Sequence, residues 1–268
     1  MTDAALLRPR TASELVDAAV RILRQHYGSY VVVAAVAAVP SLLANLLLLR
    51  DTGWGTDLAA MAAQDPFSGP RLWATLVGFV TYLLAEGVYV RLTADAYQGG
   101  PVSVADAAAH ALPRAPLVVL GQIVRFIGVG IGGVLLFVPG MIVLVRTAVA
   151  AQATVLEDEG AIGGLSRSWS LSKGHAWRVL GGIGLAWLLF FVVMMGLQML
   201  GGVLGAIVGG ATAFLAVMLV LSAFGSVLIY PIIPIVSTLM YYDLRVRREG
   251  LDLELMADDL GAAAPARP

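Results

Sequence analysis

The sequence predicts an all-α polytopic membrane protein with about six transmembrane helices, and three observations predict it. Of its 268 residues, 59% are hydrophobic and only 13% are charged, about half the charged share of an ordinary soluble domain, and the mean hydropathy is +0.85. Apolar runs long enough to cross a hydrocarbon core of about 30 Å recur along the chain. The arginines gather at alternate ends of those runs, as the positive-inside rule requires.

The N-terminal stretch does not read as a cleaved leader. Asp3, Glu14 and Asp17 precede an apolar run that begins only near Tyr30. That run is longer than the 7–15 residues of a signal-peptide core, so the first span, Ser29–Leu49, is expected to be retained. A polar loop follows, carrying Asp57, Asp65, Pro66, Gly69 and Pro70. The second span is expected over Leu72–Tyr97 and the third over Pro116–Val138, with a sharp turn at Pro139-Gly140. The fourth runs from Met141 to Leu156, into the acidic Glu157-Asp158-Glu159. The fifth lies within Ala176–Leu200 and ends in the Gly-rich 201–210 segment. The sixth, Ala211–Tyr242, is too long for one straight crossing and should kink near Pro231 and Pro234 or else continue past the membrane surface. Residues 1–250 are thus one membrane domain, and 251–268 a short cytoplasmic tail, disordered toward its end.

Orientation follows from the basic residues. Arg8, Arg10, Arg21 and Arg24 precede the first span, and Arg114 lies between the second and third. Arg167, Lys173 and Arg178 separate the fourth and fifth, and Arg245, Arg247 and Arg248 follow the sixth. With six spans all these clusters share one side, which places both termini in the cytoplasm of a cell-membrane protein, in a bacterial inner membrane by the resemblance described below. Trp54 and Trp73 at one face, with Trp169, Trp177, Tyr241 and Tyr242 at the other, fit aromatic belts.

Three inner entries share a layout. Thr11–Tyr27 opens with Thr11 and Glu14 at capping-box spacing and places Leu15, Val16, Ala19, Ile22 and Leu23 on one helical face. Ser103–Leu112 has Ser103 and Asp106 at the same spacing. Ala161–Ser172 sets Leu165, Trp169 and Leu171 opposite Arg167 and Ser168. Each reads as an amphipathic elbow lying on the inner leaflet before a transmembrane hairpin. The alternative is that any inner loop of a polytopic protein can hold such a helix.

Candidate chemistry is sparse. Four charges fall inside spans, Glu86, Arg91, Arg125 and Arg146, and intramembrane charge is the usual pointer to function. Arg91 and Arg125 can snorkel toward the inner surface, whereas Glu86 and Arg146 fall nearer mid-depth, where they can pair across the second and fourth spans or else face water at a span end. Asp95 is expected to meet water. Cysteine is absent, which excludes disulfides and cysteine-based chemistry. His26, His110 and His175 all sit near elbow ends, but no carboxylate flanks them at metal-ligand spacing. The serines 166, 168, 170 and 172 lack a GxSxG frame. Gly128, Gly130, Gly132 and Gly133 suit close helix packing and no phosphate loop. No catalytic, cofactor or metal residue is expected, nor nucleic acid as a partner; the lipid bilayer is.

Several stretches together resemble a bacterial family of uncharacterised membrane proteins named after the membrane domain of glycerophosphoryl diester phosphodiesterase. They are the Thr11–Tyr27 elbow, Gly99-Gly100-Pro101-Val102-Ser103, Val138-Pro139-Gly140 with Arg146 and Glu157, Leu165-Ser166-Arg167-Ser168-Trp169 through Trp177, and Tyr241-Tyr242-Asp243-Leu244-Arg245-Val246-Arg247. The enzyme behind the name carries its chemistry in a separate soluble barrel, and this sequence holds no stretch of that size. The resemblance therefore implies a membrane module without the catalytic domain, and the name fixes no activity for it. The function expected is that of a non-enzymatic membrane module that scaffolds partners or organises lipid. The alternative is a transporter of a small solute or lipid, with Glu86 and Arg146 along its path.

Overall fold

The computed structural model describes residues 11–51 and 69–250. The loop containing Trp54, Asp57, Asp65 and Pro66 and the 251–268 tail lie outside them. Among the described residues six stretches are long and apolar enough to cross a membrane: Tyr27–Leu47, Arg71–Tyr97, Val104–Leu135, Phe137–Leu156, Ala176–Val208 and Phe214–Glu249. The described residues form helices and no strands. The chain is an all-α integral membrane protein.

Three hairpins follow three short helices. α1 (Ala12–Gln25) leads into α2 (Tyr27–Asp51) and α3 (Gly69–Tyr97). α4 (Val104–Ala111) continues through a 3-10 turn into α5 (Ala115–Leu135) and α6 (Phe137–Arg146). After α7 (Ala150–Leu156), α8 (Ala161–Leu171) leads into α9 (Ala176–Val208) and α10 (Ala211–Ile229), and α11 (Ile232–Glu249) completes the order.

Local chemistry sets the elbow starts. The Thr11 hydroxyl accepts from the Glu14 N–H while the Glu14 carboxylate accepts from the Thr11 N–H at 2.7 Å, so two otherwise orphan donors are satisfied. The Ser103 hydroxyl accepts from the Asp106 N–H in the same way. The apolar face of α1 does not meet lipid, contrary to the expectation for an interfacial elbow. Leu15, Ala19, Ile22 and Leu23 are buried against α9 and α11. An amphipathic stripe needs only to leave water, and here a protein surface covers it.

Four further details differ from the sequence reading. The third hairpin helix turns at Leu136, which is extended (φ −161°, ψ 139°), and Pro139 and Gly140 lie in the first turn of α6. Proline is tolerated there because the first N–H groups of a helix have no intrahelical partner. The fourth span is broken: α6 has 10 residues, a rise of about 15 Å, and the chain passes through residues 147–149 before α7. The Gly-rich segment after Leu200 stays helical to Val208, because Gly201 and Gly205 seat Met218 and Phe214 of α10. Gly209 and Gly210, at φ 80° and 79°, then make the turn that β-carbons would strain. In α8, Ser168 is on the buried face and Trp169 is exposed, the reverse of the expected faces.

The expected interruption of the last span falls at Pro231: α10 ends at Ile229 and α11 begins at Ile232, while Tyr230 and Pro231 between them keep right-handed helical angles. Every side chain from Ile232 to Leu244 is buried, against α1, α3, α7, α8 and α9. These elements form a packed head at one end of the bundle, with α11 as its central post. Its core includes Tyr30, Tyr89, Leu171, Val179, Met240 and Tyr241.

The α5–α6 hairpin depends on two facing glycines. A β-carbon on Gly132 would come within 2.8 Å of the Gly140 nitrogen, and one on Gly140 within 2.8 Å of the Gly133 Cα, whereas Gly130 faces open space. Gly132→Ala and Gly140→Ala should each destabilise the detergent-solubilised protein by about 1–3 kcal/mol. Gly130→Ala should be neutral or stabilising, since alanine is the better helix former by up to about 1 kcal/mol. Thermal unfolding of the three variants checks this, and equal behaviour would refute the packing account.

Candidate functional site

The residues that carry chemistry fall into three groups: a charged cluster in the head, a polar contact between α3 and α5, and a cavity among α2, α3 and α10.

The head cluster begins at the broken fourth span. Interrupting a helix leaves carbonyl and N–H groups without partners, and buried groups of that kind are costly. Ser168 of α8 repairs the break. Its hydroxyl donates to the Arg146 carbonyl at 2.9 Å and accepts from the Val149 N–H at 3.2 Å. The Ser172 hydroxyl donates to the same Arg146 carbonyl at 3.2 Å. The closeness of α7 and α8 that permits this comes from Gly164, where a β-carbon would strike Thr154 Oγ1 at 2.2 Å. The Ser-rich stretch is therefore a structural device.

Around it the carboxylates and arginines neutralise one another. Arg167 donates to Glu157 at 2.6 Å and to Glu249 at 2.9 Å, and Arg245 meets Glu249 at 3.1 Å. The two carboxylates hold the Arg167 guanidinium above the ordinary arginine range, Glu249 more than Glu157. The Tyr241 hydroxyl donates to Glu157. Asp243, buried on α11, accepts from Arg178 at 2.7 Å and Arg247 at 3.0 Å. Arg114 pairs with Asp158, which sits at a positive φ of 56°. Gln98 donates to the Tyr242 hydroxyl at 3.0 Å. Residues from three of the sequence stretches quoted above, around Glu157, Arg167 and Tyr241–Arg247, thus meet in one place.

The intramembrane charges are arranged differently from the expectation. Glu86 accepts from Gln122 Nε2 at 2.6 Å, and Arg125 donates to Gln122 Oε1 at 3.2 Å, so Gln122 bridges the two charges between α3 and α5. Arg146 is not the partner of Glu86. It lies over the Trp169 ring at 5.6 Å and donates to the Trp169 carbonyl at 3.4 Å. Period and depth could not show which helices touch: α3 packs against α5 and α7, and α6 chiefly against α5. Arg91 pairs with Asp95 at 2.9 Å, so Asp95 has a protein partner one turn away. Gln122 gave no sequence signal beyond being a polar residue in an apolar run, which was the available clue.

The third group was not foreseen. A cavity of about 410 Å³ lies among α2, α3 and α10, with Tyr82, Tyr89, Ser222, Ser226 and Tyr230 in its lining. Tyrosines pack together at its side, Tyr30 on Tyr89 at 6.1 Å and Tyr82 on Tyr230 at 5.0 Å between ring centroids.

The histidines serve separate local bonds. His110 Nε2 donates to the Val155 carbonyl at 3.2 Å, and His175 Nδ1 lies 3.3 Å from the Lys173 carbonyl. Among the described residues no group of three or more His, Asp or Glu side chains converges as a metal site would require.

No family model matches the chain, and no curated protein or solved structure is detectably similar to it.

Two predictions follow from these contacts. Ser168→Ala strands the Val149 N–H and leaves the Arg146 carbonyl to the longer Ser172 bond alone, and it should lower stability by about 1–3 kcal/mol. Ser166→Ala, at an exposed position with no such bonds, should change little; the two midpoints are compared by thermal unfolding in detergent. In double-mutant cycles, Glu86→Ala and Gln122→Ala should couple by about 0.5–3 kcal/mol, whereas Glu86→Ala and Arg146→Ala should add within about 0.5 kcal/mol. Strong coupling of the second pair would restore the expected ion pair.

Proposed function

We propose that this protein is a non-enzymatic membrane module, with both termini cytoplasmic, that organises anionic lipid around its head. One observation carries the reading: the head consumes carboxylates in internal ion pairs and leaves basic side chains exposed. Glu157, Glu249, Asp158 and Asp243 are all engaged by arginine. Arg21, Arg24, Lys173 and Arg248 are exposed, on α1, before α9 and at the end of α11, which are elements that pack together. Two exposed carboxylates lie near them in sequence: Glu249, which Arg167 and Arg245 engage, and Asp17, one turn from Arg21.

Basic groups close to a membrane surface attract anionic lipid with about 1 kcal/mol each. The aromatic rim supports the same placement: Trp177 is 85% exposed and Trp169 and Tyr27 are also exposed, and indole and phenol rings favour the headgroup level. The absence of a joint Glu86–Arg146 path removes the motive for transport along those residues.

The test is lipid selection. Protein reconstituted in nanodiscs of mixed phosphatidylglycerol and phosphatidylcholine should retain the anionic lipid preferentially when released for native mass spectrometry. Changing Arg21, Arg24, Lys173 and Arg248 together to Gln should abolish that enrichment without moving the unfolding midpoint. Undiminished enrichment in the folded variant would sink the proposal.

A further inference from the structure

The cavity among α2, α3 and α10 has a composition that packing alone does not account for. Small residues normally let membrane helices approach closely. Ala34, Ala37, Ala38, Gly78 and Ala223 all line this space, yet it keeps a volume of about 410 Å³. That is within the range of about 300–1,000 Å³ typical of small-molecule sites.

Its polar groups are arranged for a guest. Ser41, Asn45, Ser222 and Ser226 contribute to its lining along α2 and α10, and Tyr82, Tyr89 and Tyr230 along α3 and the α10–α11 junction. Most have their protons committed within the protein: Asn45 donates to the Ser41 carbonyl at 2.7 Å, Ser222 to Met218 at 2.8 Å and Ser226 to Ala223 at 2.8 Å. Those oxygens keep acceptor capacity. Tyr89 is the exception. Its side chain is completely buried, 0% exposed, it lines the cavity, and its hydroxyl has no protein partner. A buried hydroxyl left without a hydrogen bond costs about 1–3 kcal/mol, so this group marks where a ligand oxygen belongs.

Among the described residues no Asp, Glu, Lys, Arg or His lines the cavity, and an unpaired charge at that depth would be expensive. Its walls are otherwise alkyl. We propose that the cavity binds an uncharged amphiphile, a lipid with an apolar chain and a hydroxyl or carbonyl oxygen that accepts from Tyr89. A hydroxyl on the same lipid donates to the serine oxygens. The site is independent of the basic head, and neither proposal requires the other.

The experiment uses the full chain in phosphatidylcholine nanodiscs with a diazirine-bearing monoacylglycerol as the probe. Photolabelling should map to lining peptides around Ala38, Tyr89 and Ala223, and excess monoolein should compete it away. Ala223→Phe fills the space and should reduce labelling at those peptides at least ten-fold. Tyr89→Phe removes only the unpartnered hydroxyl, so it should fold at least as well as the parent. It should still weaken monoolein competition between about two- and ten-fold, and it should lose most of the rise in unfolding midpoint that monoolein gives the parent. A diazirine-bearing phosphatidylglycerol, or an alkane carrying the same group, labelling these peptides as strongly as the monoacylglycerol would overturn the proposal. So would labelling, competition and midpoint shifts that are unchanged in Tyr89→Phe.

Discussion

A charge or backbone group withdrawn from water must find its partner inside the protein, and the architecture of the head follows from that rule. The fourth span is broken between α6 and α7, so the Arg146 carbonyl and the Val149 N–H need partners, and Ser168 supplies both. To deliver that hydroxyl, α8 must lie against α7, and Gly164 makes the approach possible. With α8 fixed there, Arg167 reaches Glu157 and Glu249, which ties the last turn of α11 to the same point.

α11 is then enclosed on all sides. A helix buried from Ile232 to Leu244 cannot leave Asp243 unpaired, and Arg178 and Arg247 meet it. The ion pairs are worth less as net stability than as specification, because desolvation cancels much of the attraction. Their effect here is to fix which elements contact α11 and in what register. The bundle beyond the head is different: its contacts are glycines and small side chains, with Gly132 against Gly140 and Gly205 against Phe214. Small residues bring α2 and α3 together, with Gly78 against Ser41, and a cavity remains where α10 meets that pair.

The same rule explains the fate of Glu86. Its depth in α3 required a partner, and the polar residue on the neighbouring helix face is Gln122, through which Arg125 is joined. Arg146 is held instead where the broken span meets α8, over Trp169.

Periodicity and composition alone determined the helical membrane class, the six long apolar stretches, the capped starts at Thr11 and Ser103 and the interruption of the last span near Pro231. Each of these rests on residues close in sequence or on a run long enough to span hydrocarbon. The positions of turns were less legible, because Pro139-Gly140 and the 201–210 glycines are compatible with both a turn and a tightly packed helix. Only the packing of a facing helix decided between them. The partners of Glu86 and Arg146, the burial of Ser168, the covering of the α1 apolar face by protein and the cavity beside Tyr89 were settled by the tertiary structure alone. Each depends on which helices become neighbours, and a hydrophobic stripe specifies that a face must be covered without specifying by what.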